Sequence, residues 1–431
     1  MYDGPIKHVV VLMMENHSFD HVLGRFPGIG TLATTPQCLP DPRDNGASCC
    51  TYAWNAWAID PCPNHAHANV MAQLYGQAAM GRQPPWPNPA PMSGFLTDYY
   101  AGVNYTSSYP QGTPTTPGDP ALLMGGFAPG ELPVTTALAQ QFTVCTNWFA
   151  SVPGPTGPNR LFANCASAGG YAGGAYQGST MPIQLAALTS VFARLEANQR
   201  TWQIYHEDAD FAPELVLDTV RDQPSAIAAD PGFARFLCDA ANGTLADYVF
   251  LTPSLPNSQH DSWDARQGDT TIGCIYQALI DSPLWEETLF LVTYDEHGGH
   301  FDHVPPPLTY TNDGGEQVTI ANPDGNQWTA DAWGADFVGP AFDFTCLGVR
   351  VPAIVVSAYT RAGVDPTVYE HASISATLDA VFGIGTLTAR DETANAFLKN
   401  VDPAAKRSRD SLPRPVPAVI GKPGPAGQLV R

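Results

Sequence analysis

The chain has 431 residues, of which 44% are hydrophobic and 14% are charged, and this composition excludes a disordered polyelectrolyte and a long coiled coil. Acidic residues outnumber basic ones by 41 to 20, and the formal net charge of −21 repels phosphate backbones, so we expect no nucleic-acid partner. No apolar run approaches the ~20 residues of a membrane-spanning helix. We therefore predict no transmembrane segment and, at most, peripheral contact with a membrane.

The first predicted element is a buried strand at Val9–Met14, which is continuously apolar and stops at Glu15-Asn16. A parallel strand has this pattern when its carboxyl end carries polar side chains. Three later runs repeat it: Tyr248–Leu251, Leu289–Thr293 and Val351–Val356. Apolar residues at helical spacing occur in three segments: Ile183–Asn198, Thr271–Asp281 and Ser373–Phe382. The alternation predicts an α/β fold with a mostly parallel central sheet and helices on both faces, in which ligands bind at the carboxyl ends of the strands.

Three segments interrupt the alternation. We predict a cysteine-rich loop insertion at residues 27–64, a loop excursion over the site at 305–345, and a Pro/Gly-rich C-terminal tail at 401–431. The polar clusters that are candidates for catalysis or metal binding extend from residue 15 to about residue 300. One catalytic domain over residues 1–400 is therefore more economical than two.

Four of the nine cysteines lie in the first loop: Cys38, Cys49, Cys50 and Cys62. Because this loop has little apolar content to hold it, we predict that these cysteines are at least partly paired in disulfides, in a secreted or periplasmic protein. Buried free thiols are the alternative. The N-terminus shows no basic region followed by an apolar stretch. We expect an export signal to have been removed before residue 1, and the alternative is a protein that is not exported by that route.

Polar pairs follow two of the predicted strands directly, namely Glu15-Asn16 and Asp295-Glu296. Three carboxylates brought to one sheet edge repel each other unless a cation lies among them. Oxygen ligands favour calcium or magnesium, with zinc as a further possibility. Taken singly, each pair also fits a helix N-cap or a surface turn.

The segment Pro153–Arg160 is a Pro/Gly-rich turn that presents one hydroxyl, Thr156, and one guanidinium, Arg160. A hydroxyl needs a base or a metal to act as a nucleophile, and arginine suits phosphate oxygens; a structural turn is the alternative. Three histidines after Asp295 also offer zinc ligands, although their spacing matches no helical zinc motif. These are His297, His300 and His303.

Five stretches in this order carry a resemblance to a known family. They are Glu15-Asn-His-Ser-Phe-Asp20 with Gly24; Leu132-Pro-Val134 through Val144-Cys145 and Trp148-Phe149; Thr156-Gly-Pro-Asn-Arg160; Asp295-Glu-His-Gly-Gly299 with Asp302-His-Val304 and Pro306; and Gly348-Val-Arg-Val-Pro352. The chain resembles the phosphoesterase family that includes non-specific phospholipases C and related acid phosphatases, with an alkaline-phosphatase-like α/β fold.

The resemblance implies one divalent metal and a covalent nucleophile. Its metal ligands would be Glu15, Asn16, Thr156, Asp295 and Glu296. Thr156 would also be the nucleophile, and a threonine there favours the phospholipase C branch.

The resemblance also implies three catalytic histidines at the phosphate and two substrate-binding side chains. The histidines are His65, His260 and, on a weaker match, His206, and the substrate-binding residues are Asn16 and Arg160. Two positions depart from the family pattern. His17 stands where arginine is common, and Gln259 stands where an acidic or small residue is often seen.

The predicted function is a metal-dependent phospholipase C that cleaves the glycerol-side phosphodiester of lipids such as phosphatidylcholine, or of small diesters, through a phospho-threonine. An acid phosphatase on the same site is the first alternative, and a non-catalytic binding protein with this fold is the second. The acidic charge predicts a preference for zwitterionic over anionic headgroups. Alternatively, that charge lies far from the site and only provides solubility.

Overall fold

The computed structural model describes residues 2–54, 56–76, 85–101, 118–173, 187–209, 212–323 and 342–418, and the backbone of 104–105 and 114–115. Residues 183–186 of a predicted helix, 324–341 of the predicted excursion and 419–431 of the predicted tail lie outside these ranges.

Sixteen strands are present in the described residues. In chain order they are β1 His8–Met14, β2 Cys38–Pro40, β3 Ser48–Cys50, β4 Tyr52–Trp54, β5 Asn104–Tyr105, β6 Pro114–Thr115, β7 Gly125–Phe127, β8 Thr143–Phe149, β9 Trp202–His206, β10 Ile227–Ala229, β11 Tyr248–Thr252, β12 Thr288–Tyr294, β13 Thr309–Thr311, β14 Gln317–Thr319, β15 Ala353–Val356 and β16 Gly363–Glu370.

Eight of these strands form one sheet in the order β10-β9-β11-β1-β12-β15-β8-β16. Only β15 runs antiparallel to its neighbours in this sheet. The four predicted strands are β1, β11, β12 and β15. Residues Val9–Met14 are fully buried, because β1 is paired on both edges and covered on both faces. The mostly parallel sheet predicted from the apolar runs is confirmed.

The helices pack on both faces of the sheet. In chain order they are α1 Phe19–Val22, α2 His67–Tyr75, α3 Phe95–Ala101, α4 Pro133–Gln141, α5 Thr156–Cys165, α6 Val191–Ala197, α7 Asp218–Arg221, α8 Ala234–Asn242, α9 Ala265–Asp281, α10 Ala372–Phe382 and α11 Ala389–Thr393. Tyr248 of β11 donates a hydrogen bond to Asn164 of α5. On the other face, Val292 and Tyr294 of β12 border the same small cavity as Thr135 of α4 and Ile272 of α9, so the predicted two-sided cover is confirmed.

The predicted insertion at 27–64 contains the antiparallel hairpin β2–β3, in which Cys38 and Cys50 are directly opposite each other. These two cysteines form a disulfide, which confirms that the loop is partly cross-linked. Cys49 and Cys62 are free and buried. Within the predicted excursion at 305–345, the described residues form a second hairpin, β13–β14.

Among the helices of the described residues, none combines the length and the hydrophobicity needed to cross a membrane. The division into one catalytic domain at 1–400 and a tail at 401–431 stays a prediction.

Candidate active site

The ends of β1 and β12 bring four polar side chains together. These strands are parallel neighbours with Met14 opposite Tyr294, so Glu15-Asn16 and Asp295-Glu296 leave the sheet side by side. The backbone N–H of Asn16 donates to Asp295 Oδ1 at 3.2 Å. All four side chains are at most 1% exposed, and their convergence follows directly from strand register.

A glycine allows the two loops to approach each other. Gly298 has a φ of +64°, and a Cβ placed there would lie 2.2 Å from the backbone oxygen of Asn16. Asn16 itself has a φ of +61°, a left-handed conformation that asparagine tolerates better than most residues. Any side chain at position 298 would therefore push the two loops apart.

Thr156 is placed at this edge by the start of α5, of which it is the first residue. The preceding turn is held by Asn159, whose side chain accepts from the backbone N–H of Val152 at 2.9 Å and donates to the carbonyl oxygen of Pro155 at 3.1 Å. The Thr156 hydroxyl donates to Glu15 Oε2 at 3.2 Å. Because the N-terminus of a helix carries partial positive charge, an anionic group is stabilised beside this hydroxyl.

The side-chain oxygen of Asn16 faces other acceptors. It lies 2.6 Å from Glu296 Oε1 and 3.0 Å from Glu15 Oε2. Rotating the amide would turn both contacts into hydrogen bonds and let its oxygen accept from His260 Nε2 at 2.9 Å. A cation among the three oxygens relieves the same repulsion without rotation. The oxygen-rich donor set therefore fits a hard divalent cation. We call Glu15, Asn16, Thr156, Asp295 and Glu296 the site cluster.

Arg160 is the counter-charge of the site cluster and is fully buried. Its guanidinium donates to Glu15 Oε1 at 2.8 Å and to Asp295 Oδ2 at 3.4 Å, and also to the carbonyl oxygens of Met13 and Met14. The side chain that was expected to bind substrate is therefore directed into the protein. The sequence pattern could not reveal this, because the burial of Arg160 is set by packing between α5 and the sheet.

The site cluster carries more negative charge than Arg160 balances. Burial, followed by the charge of Asp295, holds the pKa of Glu15 well above its usual range. Burial raises the pKa of Asp295 to about 6, although Arg160 opposes the shift. For Glu296 burial acts in the same direction, but His65 and His297 more than offset it, and its pKa is lowered. An added cation would thus stabilise at least two of the three carboxylates in their charged form.

Two predicted histidines border the site cluster in similar orientations. Nδ1 of His65 donates to the carbonyl oxygen of Pro63 at 2.9 Å, and Nδ1 of His260 donates to that of Asp261 at 2.7 Å. Each Nε2 is therefore directed inward. That of His65 lies 3.6 Å from Glu296 Oε1, and that of His260 lies 2.9 Å from the Asn16 amide. Burial lowers the pKa of His260. Two imidazole nitrogens next to the reacting centre suit proton transfer.

The third predicted histidine lies apart from the cluster. His206 ends β9 and is aligned with Thr252 of β11, two strands from β1 in the sheet order. Its charged neighbours are Asp208 and Asp230. The structure places His206 at the same sheet edge as the site cluster but not against it.

The three histidines after β12 diverge and do not form one zinc site. His297 lies beside Glu296 and pairs with Gln73 at 2.7 Å. His300 pairs with Asp261 at 2.8 Å, and His303 pairs with Asp20 at 2.6 Å. The short turns of this loop send successive side chains in different directions, which linear spacing does not indicate.

Sequence reasoning missed one residue that supports the site cluster. His371, immediately before α10, donates from Nε2 to the backbone oxygen of Asp295 at 2.6 Å and accepts from Trp148 Nε1 at 3.3 Å. Burial lowers the pKa of His371 to about 4, so it fixes this backbone as a neutral group. A single histidine before an apolar helix carries no signal of such a role.

Comparison with known proteins places the chain in a family. A model of the Phosphoesterase family matches residues 6–385. Non-specific phospholipase C3 of Arabidopsis thaliana is 32% identical, over 91% of this chain and 73% of that protein. Non-specific phospholipase C6 of the same plant is 34% identical, over 92% and 72%. Phospholipase C B of Mycobacterium tuberculosis is 28% identical, over 96% and 84%.

A solved structure from Vibrio parahaemolyticus, described as a protein in the alkaline phosphatase superfamily, is 10% identical with a TM-score of 0.38, over 90% of this chain and 70% of that one. The family match spans most of the chain, and the Arabidopsis relatives are more than 30% identical over more than two thirds of their length. The chain belongs to the phosphoesterase family and is a phosphoric ester hydrolase.

Proposed function

We propose that the protein is a phospholipase C that cleaves the glycerol-side phosphodiester of phospholipids such as phosphatidylcholine, with Thr156 as the nucleophile. The observation that carries the proposal is the Thr156 hydroxyl, which is hydrogen-bonded to Glu15 at the N-terminus of α5, beside the side chains of Asn16 and Glu296. The names of the relatives, all phospholipases C, support a diester substrate.

In this proposal the chain's own groups hold and attack the phosphate. A divalent cation held by the oxygens of the site cluster would activate the Thr156 hydroxyl and neutralise charge on the phosphoryl oxygens. The Thr156 hydroxyl gives its proton to Glu15 Oε2, to which it is hydrogen-bonded. Its oxygen attacks phosphorus in line, so that a threonine–phosphorus bond forms as the bond from phosphorus to the glycerol oxygen breaks. The partial positive charge at the start of α5 stabilises the additional negative charge at phosphorus.

His65 and His260 supply the proton transfers. Because each Nδ1–H is held by a backbone carbonyl, Nε2 is the ring nitrogen that each histidine turns towards the site cluster, and it exchanges a proton with the substrate. One of them, as imidazolium, protonates the departing diacylglycerol oxygen. The neutral imidazole then accepts a proton from the water that attacks the phospho-threonine, and Glu15 returns its proton to the Thr156 oxygen as the threonine–phosphorus bond breaks. Arg160 keeps Glu15 and Asp295 in place throughout.

Product analysis tests the proposal. Phosphatidylcholine vesicles, p-nitrophenyl phosphocholine and p-nitrophenyl phosphate are each incubated with the protein, and diacylglycerol, phosphocholine and nitrophenol are measured. We expect diacylglycerol and phosphocholine from the lipid, and faster hydrolysis of the diester than of the monoester. Hydrolysis of the monoester alone would identify an acid phosphatase, and no hydrolysis of any substrate would favour a binding protein.

Substitution at Thr156 tests the nucleophile. Thr156→Ala is expected to lower the rate by at least ~10³-fold, since removing a covalent nucleophile leaves only binding and electrostatic contributions, whereas Thr156→Ser keeps part of the activity. Thr146→Ala is the matched control, because Thr146 lies on β8 and its hydroxyl contacts the backbone oxygen of Asp365. An alanine variant at 156 within tenfold of the parent, about 1.4 kcal/mol of barrier, would contradict the assignment.

We also propose that the protein works outside the cytosol. The Cys38–Cys50 disulfide is consistent with an oxidising compartment such as the periplasm or the extracellular space.

A further inference from the structure

Three buried histidines meet beside the site cluster without belonging to it: His17, His21 and His300. The ring centroids of His17 and His21 are 4.7 Å apart, those of His17 and His300 are 4.7 Å apart, and those of His21 and His300 are 3.9 Å apart. One ring nitrogen of each lies within 4.8 Å of those of the other two. We call these residues the histidine cluster. It joins the loop after β1 and helix α1 to the loop after β12.

The ring nitrogens of the histidine cluster are almost entirely unpaired. Both nitrogens of His17, both of His21 and Nδ1 of His300 have no hydrogen-bond partner within the part of the chain that the structure describes. Each of the three residues is at most 2% exposed. A buried polar group without a partner costs about 1–3 kcal/mol, and such groups are few in native proteins. Five of them in one place indicate a ligand.

The sixth nitrogen has the partner that a metal-bound histidine usually has. His300 Nε2 lies 2.8 Å from Asp261 Oδ2. When Nε2 donates to this carboxylate, Nδ1 carries the lone pair and is free to bind a metal, and such a carboxylate orients many metal-binding histidines. Burial lowers the pKa of His21 and of His300 well below the usual value, which keeps both imidazoles neutral and able to act as ligands.

The geometry points to a second metal centre, in which His17, His21 and His300 bind a zinc-type divalent cation through imidazole nitrogens. It shares no ligand with the site cluster. Three nitrogens at the ~2.0–2.1 Å bond length of zinc lie about 3.3 Å apart in a tetrahedral site. Because the three ring nitrogens already lie within 4.8 Å of one another, each nitrogen–nitrogen distance has to shorten by no more than about 1.5 Å on binding. Neutral imidazoles favour zinc and similar ions over calcium or magnesium, in contrast to the oxygens of the site cluster.

A neighbouring group shows why the clustering of potential ligands alone does not indicate a metal site. Asp20, Asp302 and His303 also converge, but Arg350 already donates to both carboxylates, and His303 pairs with Asp20. Their hydrogen-bonding capacity is used within the protein. The histidine cluster differs because its nitrogens are unpaired and no cation of the chain faces it among the described residues.

Zinc binding and X-ray absorption test the inference without reference to activity. The untagged protein is dialysed against Zn²⁺, its zinc content is measured by mass spectrometry, and the zinc K-edge spectrum is recorded. Because the site cluster can also bind zinc, the same measurements are made on Glu15→Gln/Glu296→Gln. We expect this variant to retain about one zinc per chain, with imidazole scattering from three nitrogens.

His17→Gln and His300→Gln, singly and together, should lose this nitrogen-bound zinc, whereas His8→Gln should keep it. His8 is a suitable control because it lies at the opposite end of β1. If the double variant fails to fold, the single variants and the parent spectrum decide. A parent protein whose zinc has only oxygen ligands, or that binds no zinc, would overturn the inference, as would histidine variants with unchanged zinc content and spectrum.

Discussion

Two buried charged groups lie between the same pair of loops, after β1 and after β12, yet they differ in how their charges are balanced. The site cluster has three carboxylates and one buried guanidinium, Arg160. The second group, which we call the Arg350 cluster, has two carboxylates, Asp20 and Asp302, with Arg350 and His303. In the Arg350 cluster, Arg350 donates to Asp20 Oδ1 at 2.9 Å and to Asp302 Oδ2 at 3.2 Å.

We expect this difference to separate a structural role from a catalytic one. In the Arg350 cluster every carboxylate oxygen has a donor, including the backbone N–H groups of Asp20, His303 and Val304. In the site cluster, the three carboxylates of Glu15, Asp295 and Glu296 share one guanidinium, which pairs with Glu15 and Asp295. Buried charge that the protein balances itself contributes to folding. Buried charge that the protein leaves unbalanced is stabilised by a bound ion or ligand.

The first prediction concerns the site cluster. Glu15→Gln should lower activity by more than the ~10–100-fold typical of groups that only orient a metal ligand, because it removes a carboxylate beside Thr156. In metal-free protein, the same substitution should cost less than about 1 kcal/mol of unfolding free energy, since Arg160 keeps Asp295 as its partner and carboxylate repulsion falls. Steady-state kinetics and urea unfolding in chelator measure the two effects.

Glu286→Gln is the control for this pair of measurements, since Glu286 is exposed and pairs with Lys406 on the surface. It should leave both activity and stability near the parent values. Activity within tenfold of the parent for Glu15→Gln, or full turnover of the parent after its metal has been removed, would contradict a metal-dependent role for the site cluster.

The second prediction is the opposite pattern for the Arg350 cluster. Arg350→Gln should reduce the unfolding free energy by about 3–5 kcal/mol, because removing one partner leaves buried charge without compensation. Arg361→Gln serves as the matched control, since Arg361 pairs with Asp402 at 2.6 Å on the surface and exposed pairs contribute about 0–1 kcal/mol. Urea unfolding of both variants decides. Equal losses of unfolding free energy in the two variants would mean that the Arg350 cluster contributes no more to stability than a surface ion pair.

Part of this contrast could be predicted from sequence. Apolar runs that end in Glu15-Asn16 and Asp295-Glu296 indicated two neighbouring strand ends, and parallel strands bring such ends to one sheet edge. The family motif added Thr156, whose position at the first turn of α5 follows from the Pro/Gly-rich segment before it. Local sequence was sufficient here because each residue lies within two positions of a regular element.

The partners of these residues could not be predicted in the same way. Arg160 and Arg350 are both followed or preceded by apolar residues, and nothing local shows which carboxylates they meet. His303 and Asp20 are 283 positions apart and meet only because the two loops cross. The strands β8, β9 and β16 were also not predicted, since polar residues such as Asn147, Gln203 and Asp365 interrupt their apolar patterns. Tertiary packing determines these features.

The third prediction uses the pH dependence of the Arg350 cluster. Burial acts to lower the pKa of His303, but its hydrogen bond to Asp20 and the charge of Asp302 more than offset this and raise it. The interaction therefore stabilises the fold fully below the unfolded pKa of about 6.5 and is lost as pH rises through the raised value. His303→Gln should cost about 1.5–3 kcal/mol at pH 6, the range for hydrogen bonds to charged groups, and progressively less above it.

Urea unfolding of parent and His303→Gln between pH 5 and 9 measures this difference. Asp302, whose pKa burial raises to about 6, titrates in both proteins. Its protonated form is favoured in the fold, so its deprotonation reduces stability between about pH 4 and 6, and this loss largely cancels in the comparison. A difference between the two proteins that stays constant or grows above pH 7 would show that His303 contributes packing and no charge.

The fourth prediction extends the comparison to the charge of the whole chain, in which 41 acidic residues outnumber 20 basic ones. This excess opposes approach to an anionic bilayer, so we expect zwitterionic lipids to be preferred. Raising the phosphatidylglycerol fraction of phosphatidylcholine vesicles at low salt should slow hydrolysis by roughly 2–5-fold, because at about 0.01 M salt the screening length is about 30 Å and the acidic residues still repel the bilayer. The slowing should disappear in high salt, and a soluble phosphocholine diester should show none of it. Faster hydrolysis on more anionic vesicles at low salt would mean that the surface around the site entrance attracts anions, and that the acidic residues lie elsewhere and serve only solubility.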